Sequence, residues 1–109
     1  LLDKERQEDI HFDDIQKAVA DYFDIRLSDL SSKRRPRSVA LPRQIAMYLC
    51  RRLTRSSLPE IAASFGKTHA TVLHACRSIQ NRISVDDGLR QNIRSVVRKL
   101  GQDPVSLQL

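Results

Sequence analysis

With 109 residues, 40% hydrophobic and 29% charged, and only three glycines and four prolines, the sequence suits one folded domain rather than a disordered chain. Its apolar runs fall far short of the roughly 20 residues that cross a bilayer. The opening "LLDKERQEDI" lacks the apolar stretch of a secretory signal, and two cysteines make no disulfide framework, so the cytoplasm is expected. The formal charge of +6 hides a division: residues 1–32 carry four bases and nine acids, net −5, whereas residues 33–82 carry eleven bases and one acid, Glu60, net +10. A positive field gathered on the middle of a chain attracts a polyanion, with a merely solubilising basic surface as the competing reading.

The chain opens on Leu and in mid-helix pattern, as a piece of a longer protein does. In "DDIQKAVADYFDI", Ile15, Ala18, Val19, Tyr22 and Phe23 recur at the spacing of one helix face, which predicts a helix over about 13–24 capped by Asp13. "IRLSDLSS" then reads as one or two helical turns capped by Ser28. The segment "SSKRRPRS" follows, with Lys33, Arg34, Arg35 and Arg37 around a proline that restricts the path of the backbone. A second long helix is expected from "SVALPRQ" to about Leu53, with Pro42 tolerated in its first turn. Leu41, Ile45, Tyr48 and Leu49 would pack, leaving Arg43, Met47, Cys50, Arg51 and Thr54 on a face free for a partner.

"SLPE", residues 57–60, reads as a capping box, with Ser57 as cap, Pro59 in the first turn and Glu60 reaching back. The helix it starts is short, about 58–64, because Phe65-Gly66-Lys67 forms a turn. Thr68 caps the next helix, whose inner stripe is Val72, Cys76, Ile79 and Ile83 and whose outer stripe is Ala70, His74, Arg77 and Asn81. A last helix from Asp86 buries Leu89, Ile93, Val96, Val97 and Leu100 and stops at Gly101, with residues 102–109 loose. No useful length alternates like a strand, so an all-α bundle is expected, with Cys50 and Cys76 as small hydrophobes within it.

A short capped helix, a glycine turn and a longer helix with polar residues at its start form the pattern of a helix-turn-helix. The pattern alone is weakly specific; the surrounding basic charge makes double-stranded DNA the favoured partner. A helical protein-interaction module and a transcription regulator stay open as alternatives, although no exposed apolar seam suggests the dimer a regulator usually forms.

Three motifs in register, "SKRRPRSVALPRQIAM", "LTRSSLPEI" and "THATVLHACRSI", resemble the C-terminal DNA-binding domain of the bacterial chromosomal replication initiators of the DnaA family. The resemblance covers about residues 10–100. It implies a domain over 12–101 that binds origin boxes as a monomer. Residues 1–11 then end a linker helix from an upstream ATPase module, 102–109 form a tail, and ATP is needed only by that absent module. In such a domain an arginine of the basic loop, here Arg35, enters the minor groove, where narrow A·T-rich sequence favours a guanidinium. Lys33 and Arg34 lie beside it, and Arg37 is expected to contact the DNA backbone. Arg43 and Gln44 match the family's "PRQ" and, with Arg51, Thr54 and the amides at Leu58 and Pro59, are expected to meet phosphates.

Base reading falls to the start of the recognition helix. The family usually shows Gly-Gly-Arg-Asp-His-Thr-Thr-Val there; this chain is one residue shorter, with Gly66-Lys67-Thr68-His69-Ala70-Thr71-Val72. The missing aspartate removes an acceptor for a cytosine amino group. His69 and Thr71 are assigned to bases, Thr68, Ala70 and Lys67 to weaker roles, and His74 and Arg77 to phosphate. Protein regulators of the acidic portion remain open.

Other chemistry is poorly supported. "GKT" at 66–68 ends like a nucleotide-binding loop, but the glycine required five positions earlier is Ile61. His69 and His74 are five apart and do not share a helix face as metal ligands, and no cofactor is expected in this domain. Asp13-Asp14 and Asp86-Asp87 suit helix starts better than catalysis, and Tyr48 as a nucleophile is a minor alternative. The chain is not expected to be an enzyme.

Overall fold

The computed structural model describes residues 10–31, 37–107 and 109. Lys33, Arg34 and Arg35 lie outside them, and so does the side chain of Arg37. Helix α1 is Phe12–Phe23. Its entry is closed by Asp14, whose carboxylate accepts the His11 N–H at 3.1 Å, so the cap lies two residues before the Asp13 expected to supply it. Ile15, Val19 and Ala20 face the core, and Asp24 ends the helix at φ 55, from where Ile25 N–H donates to Ala20 O at 3.0 Å.

The turn Leu27–Leu30 is a 3₁₀ helix. It begins before Ser28, the expected cap, because the Asp29 carboxylate accepts the Arg26 N–H at 3.1 Å. Leu30 then buries itself. Helix α2, Arg37–Leu53, starts earlier than its sequence suggests, so Pro42 sits inside it rather than in its first turn. The ring removes one backbone donor that would have met the Ser38 carbonyl, and the helix continues.

The free face expected of α2 is not free. Ile45, Ala46, Met47, Tyr48, Leu49 and Cys50 are all buried, as is Arg43, and exposure returns only at Arg51 and Arg52. A helix buried on all sides must be central, and α2 is: α1 and the 3₁₀ turn pack on it, as do helix α3, Leu58–Phe65, and helix α4, His69–Ile83. The inner stripe of α4 is Val72, Ala75 and Ile79; Cys76 and Ile83, expected there, are half-buried at its margin. The Cys76 thiol donates toward Met47 O at 3.9 Å. Burial pushes the Cys50 thiol up to about 12, with the neighbouring Cys76 adding to it, and raises Cys76 as well. Both stay protonated and unbridged, as small hydrophobes do.

Helix α5, Asp87–Lys99, is capped by Asp86, which accepts the Leu89 N–H at 2.9 Å, and it buries Leu89, Ile93, Val96 and Val97. Tyr22 OH to Asn92 Oδ1 at 3.0 Å and Lys99 Nζ to Asp21 at 2.7 Å tie it to α1. After Gly101, in the left-handed conformation at φ 75, the chain is not loose: Pro104–Leu107 forms a second 3₁₀ turn and Leu107 is buried in the core. One apolar side chain with a place to bury outweighs the polar composition of a short tail. Among the described residues there is no strand, and no helix is long and apolar enough to cross a membrane.

Candidate nucleic-acid interface

α3 is set by its first turn. Ser57 N–H and Ser57 hydroxyl both donate to Glu60 Oε1, at 3.0 and 2.9 Å, while Glu60 N–H donates to Ser57 Oγ at 3.3 Å. These bonds, the backbone N–H foremost, hold the Glu60 carboxyl below its usual range. α3 ends on the fully buried Phe65, and Gly66 turns the chain at φ 65 while Lys67 N–H donates to Ala62 O at 2.9 Å. Thr68 then caps α4, accepting the Thr71 N–H at 3.2 Å. Helix, glycine corner and second helix form the helix-turn-helix expected from the sequence.

α4 leaves its start open. Thr68, His69, Ala70 and Thr71 are exposed, and His74 and Arg77 follow on the same outer face with Asn81. At about 1.5 Å per residue, Arg77 stands roughly one and a half to two turns beyond Thr71, within the reach of a groove-bound helix. Lys67 is half-buried just ahead of the cap.

The second cluster surrounds the start of α3. Arg51 is exposed and donates to Ser56 O at 3.1 Å, which holds its guanidinium beside the α2–α3 connection. Thr54 is half-buried, its hydroxyl donating to Cys50 O at 2.5 Å and accepting Ser56 N–H at 3.3 Å, so it closes the end of α2. Leu58 is half-buried and Pro59 exposed. The expectation of free amides at both is corrected by covalent structure and by the capping box: Pro59 has no N–H, and those of Ser57 and Glu60 are occupied. Leu58 supplies the one amide of that turn without a partner among the described residues.

Arg43 is the largest departure. It is only 9% exposed, and its guanidinium donates to two backbone carbonyls of the 3₁₀ turn, Nε to Leu30 O at 2.9 Å and NH2 to Asp29 O at 2.7 Å. Gln44 beside it is half-buried. The turn so held runs to the helix-turn-helix corner: a methyl group placed on Gly66 would lie 4.0 Å from Ser31 O. The last residue before segment 32–36 is therefore a neighbour of the corner that launches α4.

This turn is the part of the site that sequence reasoning missed. A signal was present, since Arg43 lies two residues ahead of the unbroken apolar run from Ile45 to Cys50 and one turn before Met47, where a side chain of any kind has little access to solvent. Tyr48, weighed as a nucleophile, is buried; its hydroxyl accepts from Arg52 at 3.1 Å and donates toward Gln80 at 3.5 Å. Arg52 also stacks over its ring at 5.7 Å.

The family described as the bacterial dnaA protein helix-turn-helix matches residues 12–79, more than half of the chain. The chain belongs to this family. As a DnaA-type helix-turn-helix it is a DNA-binding domain. The match begins with the first residue of α1, takes in α2, α3 and the Gly66 corner, and ends at Ile79 inside α4, so it contains every residue singled out above for DNA. Arg43, expected from the resemblance to meet phosphate, is turned inward onto the 3₁₀ turn.

Proposed function

We propose that this domain reads a short asymmetric duplex at replication origins, binding as a monomer in the cytoplasm and bringing an upstream ATPase module, the user of ATP, to the origin. α4 enters the major groove, with His69 and Thr71 on base edges, Thr68, Ala70 and Lys67 close by, and His74 and Arg77 on phosphate. Arg35 enters the adjoining minor groove, flanked by Lys33, Arg34 and Arg37. Gln44, Arg51, Thr54 and the start of α3 at Leu58 and Pro59 follow the phosphate backbone between the grooves. The observation that supports this reading is the nearness of Ser31 to Gly66, which roots the basic segment at the corner that launches the recognition helix. One domain can then address two neighbouring grooves.

The test is a selection from random duplexes with this chain, followed by titration of the recovered sequence against its scramble over a range of salt. One recovered asymmetric box, bound 10³-fold or more tighter than the scramble, is the expected result. Equal binding to box and scramble would leave only a nonspecific basic surface and return the protein-interaction reading.

A further inference from the structure

Arg43 is the one buried charged side chain among the described residues, and two of its nitrogens donate to backbone carbonyls. The carbonyls at the end of a helical turn have no partner within the turn, and a planar guanidinium with donors in a fixed fork can serve two of them at once. At 2.9 Å to Leu30 O and 2.7 Å to Asp29 O, Arg43 does so, and it joins the 3₁₀ turn to α2 across 13 and 14 residues of sequence. Leu30 plugs the core beneath it, and Ser31, next along, lies beside Gly66. From this we infer that Arg43 is a positioning residue for DNA reading: it fixes the Leu27–Ser31 turn against the helix-turn-helix corner and does not itself meet phosphate.

The inference deepens the proposed reading and rests on it for the consequence on sequence preference, while the bonding of Arg43 is testable without it. A phosphate ligand and a strut respond differently to substitution. A lysine can replace an arginine on a phosphate, since a point charge suffices there, but it cannot span two carbonyls in a fork. Removal of a phosphate ligand also flattens the dependence of log K on log salt by about 0.9 on any duplex.

The experiment compares the parent, Arg43→Lys and Arg43→Met on the selected duplex and its scramble, with helix content followed by circular dichroism. The strut predicts that both variants bind the scramble with the parent's salt slope and that both lose 10-fold or more of the preference for the selected duplex. Retained preference in Arg43→Lys, together with a slope flattened by about 0.9 in Arg43→Met, would make Arg43 a phosphate ligand and end the proposal. Should the variants unfold, the parent alone decides. The Arg43 Nε–H signal in a proton–nitrogen correlation spectrum is expected to be protected from exchange in the free protein and unmoved by a random 20-base-pair duplex. An exposed signal, or one that shifts on adding DNA, overturns the strut. A parent with no sequence preference but a protected Nε–H would instead sink the origin-binding reading and leave Arg43 as a strut.

Discussion

Thr68 and Thr71 meet twice at the start of α4, through the Thr71 N–H donating to Thr68 Oγ1 at 3.2 Å and through their two hydroxyls at 3.0 Å. The Thr68 hydroxyl is thereby occupied by the helix it begins, at the position where the resemblance implies an aspartate. Two substitutions separate cap from reader. Thr68→Ala should cost about 1 kcal/mol of stability through the lost cap, measured as a shift of the urea midpoint. Thr68→Asp should keep the cap, since aspartate caps at least as well as threonine, and should move a repeated duplex selection toward cytosine at one position. An unchanged selected sequence would show that this side chain faces no base.

Gly66 carries the corner at φ 65, a conformation that costs a residue with a Cβ about 1 kcal/mol or more. Space is not the constraint, because the nearest atom to an added methyl is Ser31 O at 4.0 Å, ordinary contact. Gly66→Ala should therefore lose about 1 kcal/mol, and Gly66→Asn less, since asparagine tolerates the left-handed region. Equal losses for the two in urea unfolding would point to crowding rather than backbone conformation.

Apart from Asp13 and Ser28, whose helices begin earlier, the local signals in the sequence were good guides to the helix starts and stops that are written in side chains. Ser57 with Glu60, Thr68, Asp86, Gly66 and Gly101 each do what their chemistry suggests, because a cap or a left-handed turn involves only residues a few positions apart. The recognition helix was legible for the same reason, its outer face of Ala70, His74, Arg77 and Asn81 being exposed as the wheel implies. The wheel failed on α2. A helical wheel assigns one buried face and one open one, and it has no knowledge that α1, the 3₁₀ turn, α3 and α4 all pack on this helix. Met47 and Cys50 are therefore core, and Arg43 is turned to carbonyls contributed by a segment 13 residues away. Segment 32–36, where Lys33, Arg34 and Arg35 fall, lies outside the described residues.

Leu107 gives the C-terminal residues a structural role that their composition conceals. It is 6% exposed and belongs to the core cluster, and Leu109 packs against that cluster at its edge. Leu107→Ala should lower stability by about 2 kcal/mol, the low end for a buried leucine, because the site lies at the rim and can partly collapse. A chain ended at Gly101 should lose at least as much. Identical thermal midpoints for parent and truncated chain would return residues 102–109 to the status of a loose tail.

The capping carboxylates predict an acid limb of stability. Glu60 is held below its ordinary 4.5 by the Ser57 N–H and then the Ser57 hydroxyl, and Asp86 below its ordinary 3.8 by the Leu89 N–H and then by Arg82, whose guanidinium lies 3.2 Å away. Both bind a proton less readily folded than unfolded. Their stabilisation is therefore whole above those ordinary values and is lost as the pH falls through the lower folded ones. Glu60→Gln and Asp86→Asn keep a capping side chain without the titration. Urea midpoints between pH 7 and about pH 3 should fall less steeply below the ordinary carboxylate range in the double variant than in the parent. Parallel curves would assign the acid sensitivity elsewhere.

His69 is the sharpest test of base reading, because its position separates structure from recognition. It is the first residue of α4, exposed, one place after the cap, so its removal leaves Thr68, Gly66 and the Val72, Ala75 and Ile79 packing intact. His69→Ala should therefore leave stability within about 0.5 kcal/mol of the parent. Binding should change in one respect only. A contact to a base edge is worth about 1–3 kcal/mol of discrimination and nothing on a scrambled duplex, whereas a phosphate contact is lost from every duplex alike and takes about 0.9 from the salt slope with it if the histidine is charged. Titrations of parent and variant on the selected duplex and its scramble should show the preference reduced roughly 5- to 150-fold, with scramble affinity and slope retained. A uniform loss on both duplexes would reassign His69 to the phosphate backbone, and the reading of bases would then rest on Thr71 and the residues beside it.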